Sequence, residues 1–128
     1  MTRRSIETET FSHTNPIPGA CRVGPLIESS IIPPTNPGAR EMPDTLEGQI
    51  DNLFTHMEGM LTDAGATWDD MVKITFFVAD AVESRPALNG PWLERFPDEN
   101  SRPARHNLEL PMAGKAKISC VFTAYLDD

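Results

Sequence analysis

Cysteine is scarce: Cys21 and Cys120 stand far apart in apolar segments, with no CxxC or Cys/His ligand spacing. That argues against a disulfide framework or a zinc centre and leaves two buried, reduced thiols. His13, His56 and His106 likewise lack the spacing of metal ligands, so no metal is expected. Long apolar runs are missing too, and Met1 to Thr10 is polar without the apolar core of a signal peptide. The expectation is a cytoplasmic protein with no membrane partner. Basic residues are few, 11 Lys and Arg against 19 Asp and Glu, and they form no stripe. The net charge of -8 repels phosphate backbones, which makes nucleic acid a poor partner.

A chain of 128 residues fits one domain with its own core, so residues 1–128 are read as a single domain with a polar segment at 1–15. That segment carries no motif and is expected to be ordered only where a partner or a sheet holds it. Ala20–Val23 and Leu26–Ile32, split by Gly24-Pro25, read as two strands joined by a tight turn. Prolines 33, 34, 37 and 43 then enforce a surface loop. Leu46, Ile50, Leu53, Phe54, Met57, Met60 and Leu61 repeat at helical spacing, which predicts an amphipathic helix over residues 45–64. Asp44 is the expected cap with Glu47 in a capping box, Gly65 the left-handed stop, and His56 lies near the polar face. Met71 to Val78 reads as a strand. Leu88, Trp92, Leu93 and Phe96 mark a second helix within Ser84–Phe96, delayed to about Asn89 by Gly90-Pro91. A strand from about Arg105 and a last strand from Lys117 to Leu126, separated by Gly114, complete the order ββαβαββ.

The stretch Ser101-Arg102-Pro103-Ala104-Arg105-His106 carries the clearest chemistry. Pro103 holds Arg102 extended and marks a strand entry, so Arg105 stands at a strand mouth. A guanidinium binds a carboxylate through two parallel hydrogen bonds and keeps its charge near neutral pH. Arg105 is therefore the leading candidate to hold a small carboxylate, against the blander reading of a structural salt bridge by Arg105 or Arg102. His106 alternates away from it.

Three stretches in this order resemble the RidA family, also called YjgF/YER057c/UK114. They are the hairpin Ala20 to Pro33, the run Asp63-Ala64-Gly65-Ala66-Thr67-Trp68-Asp69-Asp70 into Met71 to Asp80, and Arg102-Pro103-Ala104-Arg105. The resemblance covers roughly residues 16–126. It implies a chorismate-mutase-like α+β subunit, with two helices on one face of a mixed sheet, assembled as a homotrimer with a small-molecule pocket at each subunit interface. It also implies hydrolysis of reactive enamines and imines such as 2-aminoacrylate, with no metal or organic cofactor. The arginine, here Arg105, holds the substrate carboxylate. The hairpin serine is Ser29, and the next position, usually glycine, is Ser30.

The sequence departs from that pattern at three further pocket positions. Ser119 stands where deaminating members carry a water-orienting glutamate, Ile17 where a tyrosine is expected, and Asn107 where a cysteine follows the arginine. A serine hydroxyl is no base near neutral pH, although it can hydrogen-bond water or substrate. Glu28 reads as an exposed strand charge, or else as a replacement acid. Two function classes follow: an enamine/imine deaminase anchored by Arg105, or a carboxylate-binding protein that has kept the pocket without the chemistry. Ribonuclease action ranks below both because of the charge.

Overall fold

A computed structural model describes residues 2–127. Its elements are β1 (Arg3–Ile6), β2 (Ala20–Val23), β3 (Leu26–Ser29), α1 (Leu46–Ala64), a 3-10 turn (Trp68–Asp70), β4 (Met71–Val78), α2 (Ala81–Arg95), β5 (Ala104–Glu109) and β6 (Ile118–Tyr125). The six strands form one mixed sheet in the order β1-β2-β3-β6-β4-β5. Only the β4–β5 pair is parallel, because α2 crosses over between them, and all other neighbours run antiparallel. Both helices cover one face, which gives the α+β subunit expected from the resemblance.

The core lies between that face and the helices. Ile27 of β3, Ile74, Phe76 and Val78 of β4, and Cys120, Phe122 and Ala124 of β6 point into it and meet Ile50, Leu53, Phe54, Met57, Met60 and Leu61 of α1. Alternation along each strand leaves the opposite face to Glu28, Lys73, Thr75, Phe77, Ser119, Val121, Thr123 and Tyr125. Among the described residues no helix covers this second face.

Three elements depart from the sequence reading in their extent or capping. First, residues 3–6 form an added strand on the free edge of β2, with Ile6 fully buried at its end. Second, α1 is capped by Thr45, not Asp44. The Thr45 side chain accepts the Gly48 N–H, so Gly48 takes the place that a Glu47 capping box would need. Third, α2 starts at Ala81, capped by Asp80, and runs through both Pro86 and Pro91. A proline costs a helix one backbone bond, yet Ser84, Leu88 and Trp92 bury one stripe and Phe96 follows in register, so packing outweighs that loss. Gly65 ends α1 with φ of 81°, as its left-handed position requires.

The polar stripe of α1 ties down the long proline-rich loop. Gln49 donates to the carbonyls of Pro43 and Lys115 and accepts the Lys117 N–H, while Asn52 donates to the Pro34 carbonyl. His56 belongs to this stripe and is fully buried, unlike the polar-face position read from its spacing. Each group left unpaired here would cost about 1–3 kcal/mol, so these bonds fix the loop against the helix.

Candidate functional site

Arg105 sits in β5 opposite Ile74 of β4, and Ile74 points into the core. The arginine side chain therefore leaves the sheet on the helix side. There α2 receives it: the guanidinium carbon lies 5.1 Å from the centre of the Trp92 ring, and Nη2 donates to Asn89 Oδ1 at 3.1 Å. Asn89 and Trp92 are one helical turn apart, so both face the same strand. Trp92 is buried and supplies an apolar floor on which a cation is favoured. Among the described residues no carboxylate pairs with Arg105, which removes the structural salt-bridge reading. Partial burial lowers its pKa from the ordinary arginine value, because desolvation penalises the charged form. Arg102, by contrast, is structural: it donates to the carbonyls of Phe96 and Pro97 and clamps the loop before β5.

Asn107 follows on the same side of β5. Both polar atoms of its side-chain amide are buried without a hydrogen-bond partner among the described residues. His106 lies between them on the opposite face, as alternation requires, and is exposed.

The other candidates gather elsewhere. Ile17, Ser29 and Ser30 line one concavity of about 480 Å³ together with Arg3, Ser5, Pro16, Pro18, Cys21 and Glu28. The Ser29 hydroxyl accepts the Phe122 N–H at 2.8 Å, and the Ser30 N–H donates to the Gly19 carbonyl at 2.9 Å. Neither Arg105, Asn107 nor Ser119 lines this concavity. Ser119 is buried, opposite Phe77 on the sheet face away from the helices.

The sequence of this arrangement matches known proteins along nearly its whole length. The family model described as Endoribonuclease L-PSP matches residues 11–120. The chain belongs to this family. Its motifs tie the same family to the RidA/YjgF proteins, and the relatives agree. A RutC family protein of Haemophilus influenzae is 33% identical over 104 residues, covering 80% of this chain and 78% of that one. A RutC family protein of Aquifex aeolicus is 26% identical over 89 residues, covering 67% and 70%. The solved structure of the Escherichia coli YjgF gene product superposes with a TM-score of 0.83 at 26% identity, covering 95% of this chain and 98% of that one. The Rid family protein YyfA of Yersinia pestis gives 0.86 at 23% identity over 98% and 100%, a likeness of fold.

Within this Endoribonuclease L-PSP family chain, sequence reasoning missed Asn89 and Trp92 as supports of Arg105, and Arg3 and Cys21 as walls of the hairpin concavity. Asn89 and Trp92 carried a signal, their spacing of one helical turn, which Gly90-Pro91 obscured. Arg3 carried none, because nothing in a polar segment announces a strand. No group of His, Cys, Asp and Glu able to hold a metal occurs among the described residues. No helix among them is long and apolar enough to cross a membrane.

Proposed function

We propose that this chain is a cytoplasmic Rid-type hydrolase that deaminates a small reactive enamine or imine bearing a carboxylate. Arg105 is the anchor, and its setting carries the reading: a partly buried guanidinium on an aromatic floor, oriented by one neutral amide, with no acid among the described residues to neutralise it. Such a group binds a carboxylate through a bidentate pair whose strength rises as water is excluded. Asn107, with an unpaired amide on the same strand face, adds polar capacity beside the anchor.

The reading includes a homotrimer. Arg105 and the concavity of Ile17, Ser29 and Ser30 are separate in one chain, so a pocket built from both needs a neighbouring copy. The uncovered sheet face, with Phe77, Val121 and the exposed Leu26, Ile31 and Tyr125, is a surface for that copy to cover.

A second reading, a carboxylate-binding protein without catalysis, is favoured by Ser119 in the place of the expected glutamate. Endoribonuclease action, which the family description names, is opposed by the charge of -8. Ammonia release from 2-aminoacrylate generated in place by a dehydratase separates the first two. Release that depends on Arg105 supports the hydrolase, whereas Arg105-dependent binding of pyruvate without release supports the binding protein.

A further inference from the structure

We propose that Glu28 is the base that activates the attacking water, an assignment that rests on the deaminase reading above. Along β3 Ile27 is buried in the core and Glu28 emerges on the opposite face, where it lines the same concavity as Ile17, Ser29 and Ser30. The register sets Glu28 between Cys21 of β2 and Thr123 of β6. The Thr123 hydroxyl donates to Glu28 Oε1, which fixes the carboxylate while leaving Oε2 for a water. Among the described residues no cation pairs with this carboxylate, so no ion pair holds it away from a water.

Two other acids near the candidate residues do not line this concavity and serve the backbone. Glu109 Oε1 accepts the Ala81 N–H at the start of α2, and Glu7 Oε1 accepts the Gly19 N–H. Thr123 and Ser119 are four residues apart in one strand and so share a face. A base at position 28 therefore approaches from the same side of the sheet as an acid at position 119 would.

In the imine form of the substrate, Glu28 takes one proton from water as the water oxygen bonds to the imine carbon. The C=N π pair moves to nitrogen, which receives that proton from Glu28 to give a neutral carbinolamine. Glu28 then takes the carbinolamine hydroxyl proton and passes it to the nitrogen, the C–N bond breaks with its pair on nitrogen, and ammonia leaves as the O–H pair forms the carbonyl. The products are a keto acid and ammonia, with no oxidant or reductant required.

The test is steady-state ammonia release by wild type, Glu28→Gln, Thr123→Val and the double variant Glu28→Gln/Ser119→Glu, with a pH profile for each. Glu28→Gln keeps an acceptor for Thr123 and removes only the base. A fall in kcat of about 10²-fold or more is expected, with KM little changed and the acidic limb of the profile lost. Thr123→Val, which removes a positioning residue, is expected to shift that limb and lower kcat less. Recovery of rate in the double variant would support the shared-face geometry. Unchanged kcat and an unchanged acidic limb in Glu28→Gln overturn the assignment and leave the deaminase reading standing. No ammonia release by wild type overturns both.

Discussion

Arg105 and Ser119 lie on opposite faces of the sheet. Arg105 pairs with Ile74 and Ser119 with Phe77 on the same central strand, and residues an odd number apart in a strand point opposite ways. A ligand resting on Arg105 over Trp92 is thus separated by the sheet from Ser119 of its own chain. Subunit mixing tests the consequence. Arg105→Ala and Glu28→Gln, each inactive alone, are expected to regain activity when dissociated and reassembled together, since about a quarter of the interfaces in a mixed ring join two intact halves. Sedimentation would verify the trimer, and a mixture that stays inactive while trimeric would place both residues in one chain's site.

Arg105→Ala is expected to weaken binding of a small carboxylate such as pyruvate by about 1.5–3 kcal/mol, the usual worth of a hydrogen bond to a charged group. Arg105→Lys should recover only part, because an ammonium cannot pair bidentately or lie flat on Trp92. Calorimetry on the three proteins checks this, and equal affinities would end the anchoring role.

Ser119→Glu on the wild-type background asks whether the position can host the missing acid. With Glu28 already supplying the base, turnover of 2-aminoacrylate should change little, whereas a rise towards the roughly 10²- to 10⁴-fold worth of a positioned acid–base group would show that the wild-type pocket lacked one. Fast turnover by wild type, unchanged or slowed by the substitution, would show that the base is already supplied from elsewhere. The isolated variant must also remain folded, since Ser119 is buried and a larger charged side chain strains its surroundings.

His56 gives the fold a calculable pH dependence. Nε2 lies 2.8 Å from the Thr35 carbonyl and must donate to it, so in the neutral ring Nδ1 accepts from the Thr10 hydroxyl at 2.7 Å. Burial lowers its pKa below the ordinary 6.5, with the bond to Thr35 opposing that shift. The unfolded chain therefore takes up the proton first as pH falls. Stability from this group is full above 6.5 and declines below it. Urea midpoints measured from neutral to mildly acidic pH should fall for wild type, and His56→Gln should be less stable throughout but with a flatter acidic side.

Much of this architecture was legible because burial writes periodicity. The α1 stripe from Leu46 to Leu61 and the alternation in β4 and β6 announced their own elements, and Pro103 announced the mouth of β5. β1 was not legible, since three of its four residues are exposed and only the free edge of β2 makes them a strand. Pro86 and Pro91 hid the length of α2 because local propensity argues against a helix that tertiary packing of Leu88 and Trp92 sustains. Arg105 could be singled out from sequence, but not its partners. Which of 19 acids, if any, would neutralise it depended on the side of the sheet it left, and that is a property of register.

The sheet order also governs when the chain can fold. β6 is the last strand along the chain, yet it lies between β3 and β4 and hydrogen-bonds to both. Until it arrives, the β1-β2-β3 meander and the β4–β5 pair have no common edge, and each exposes an unpaired strand flank with apolar side chains. A nascent chain thus cannot close its core from the N-terminus onward, and native pairing waits for residues up to Tyr125 to clear the ribosome. Synthesis stalled ahead of β6 should leave two sticky half-sheets that need chaperone shelter, where a fold wound in sequence order would already have begun to settle.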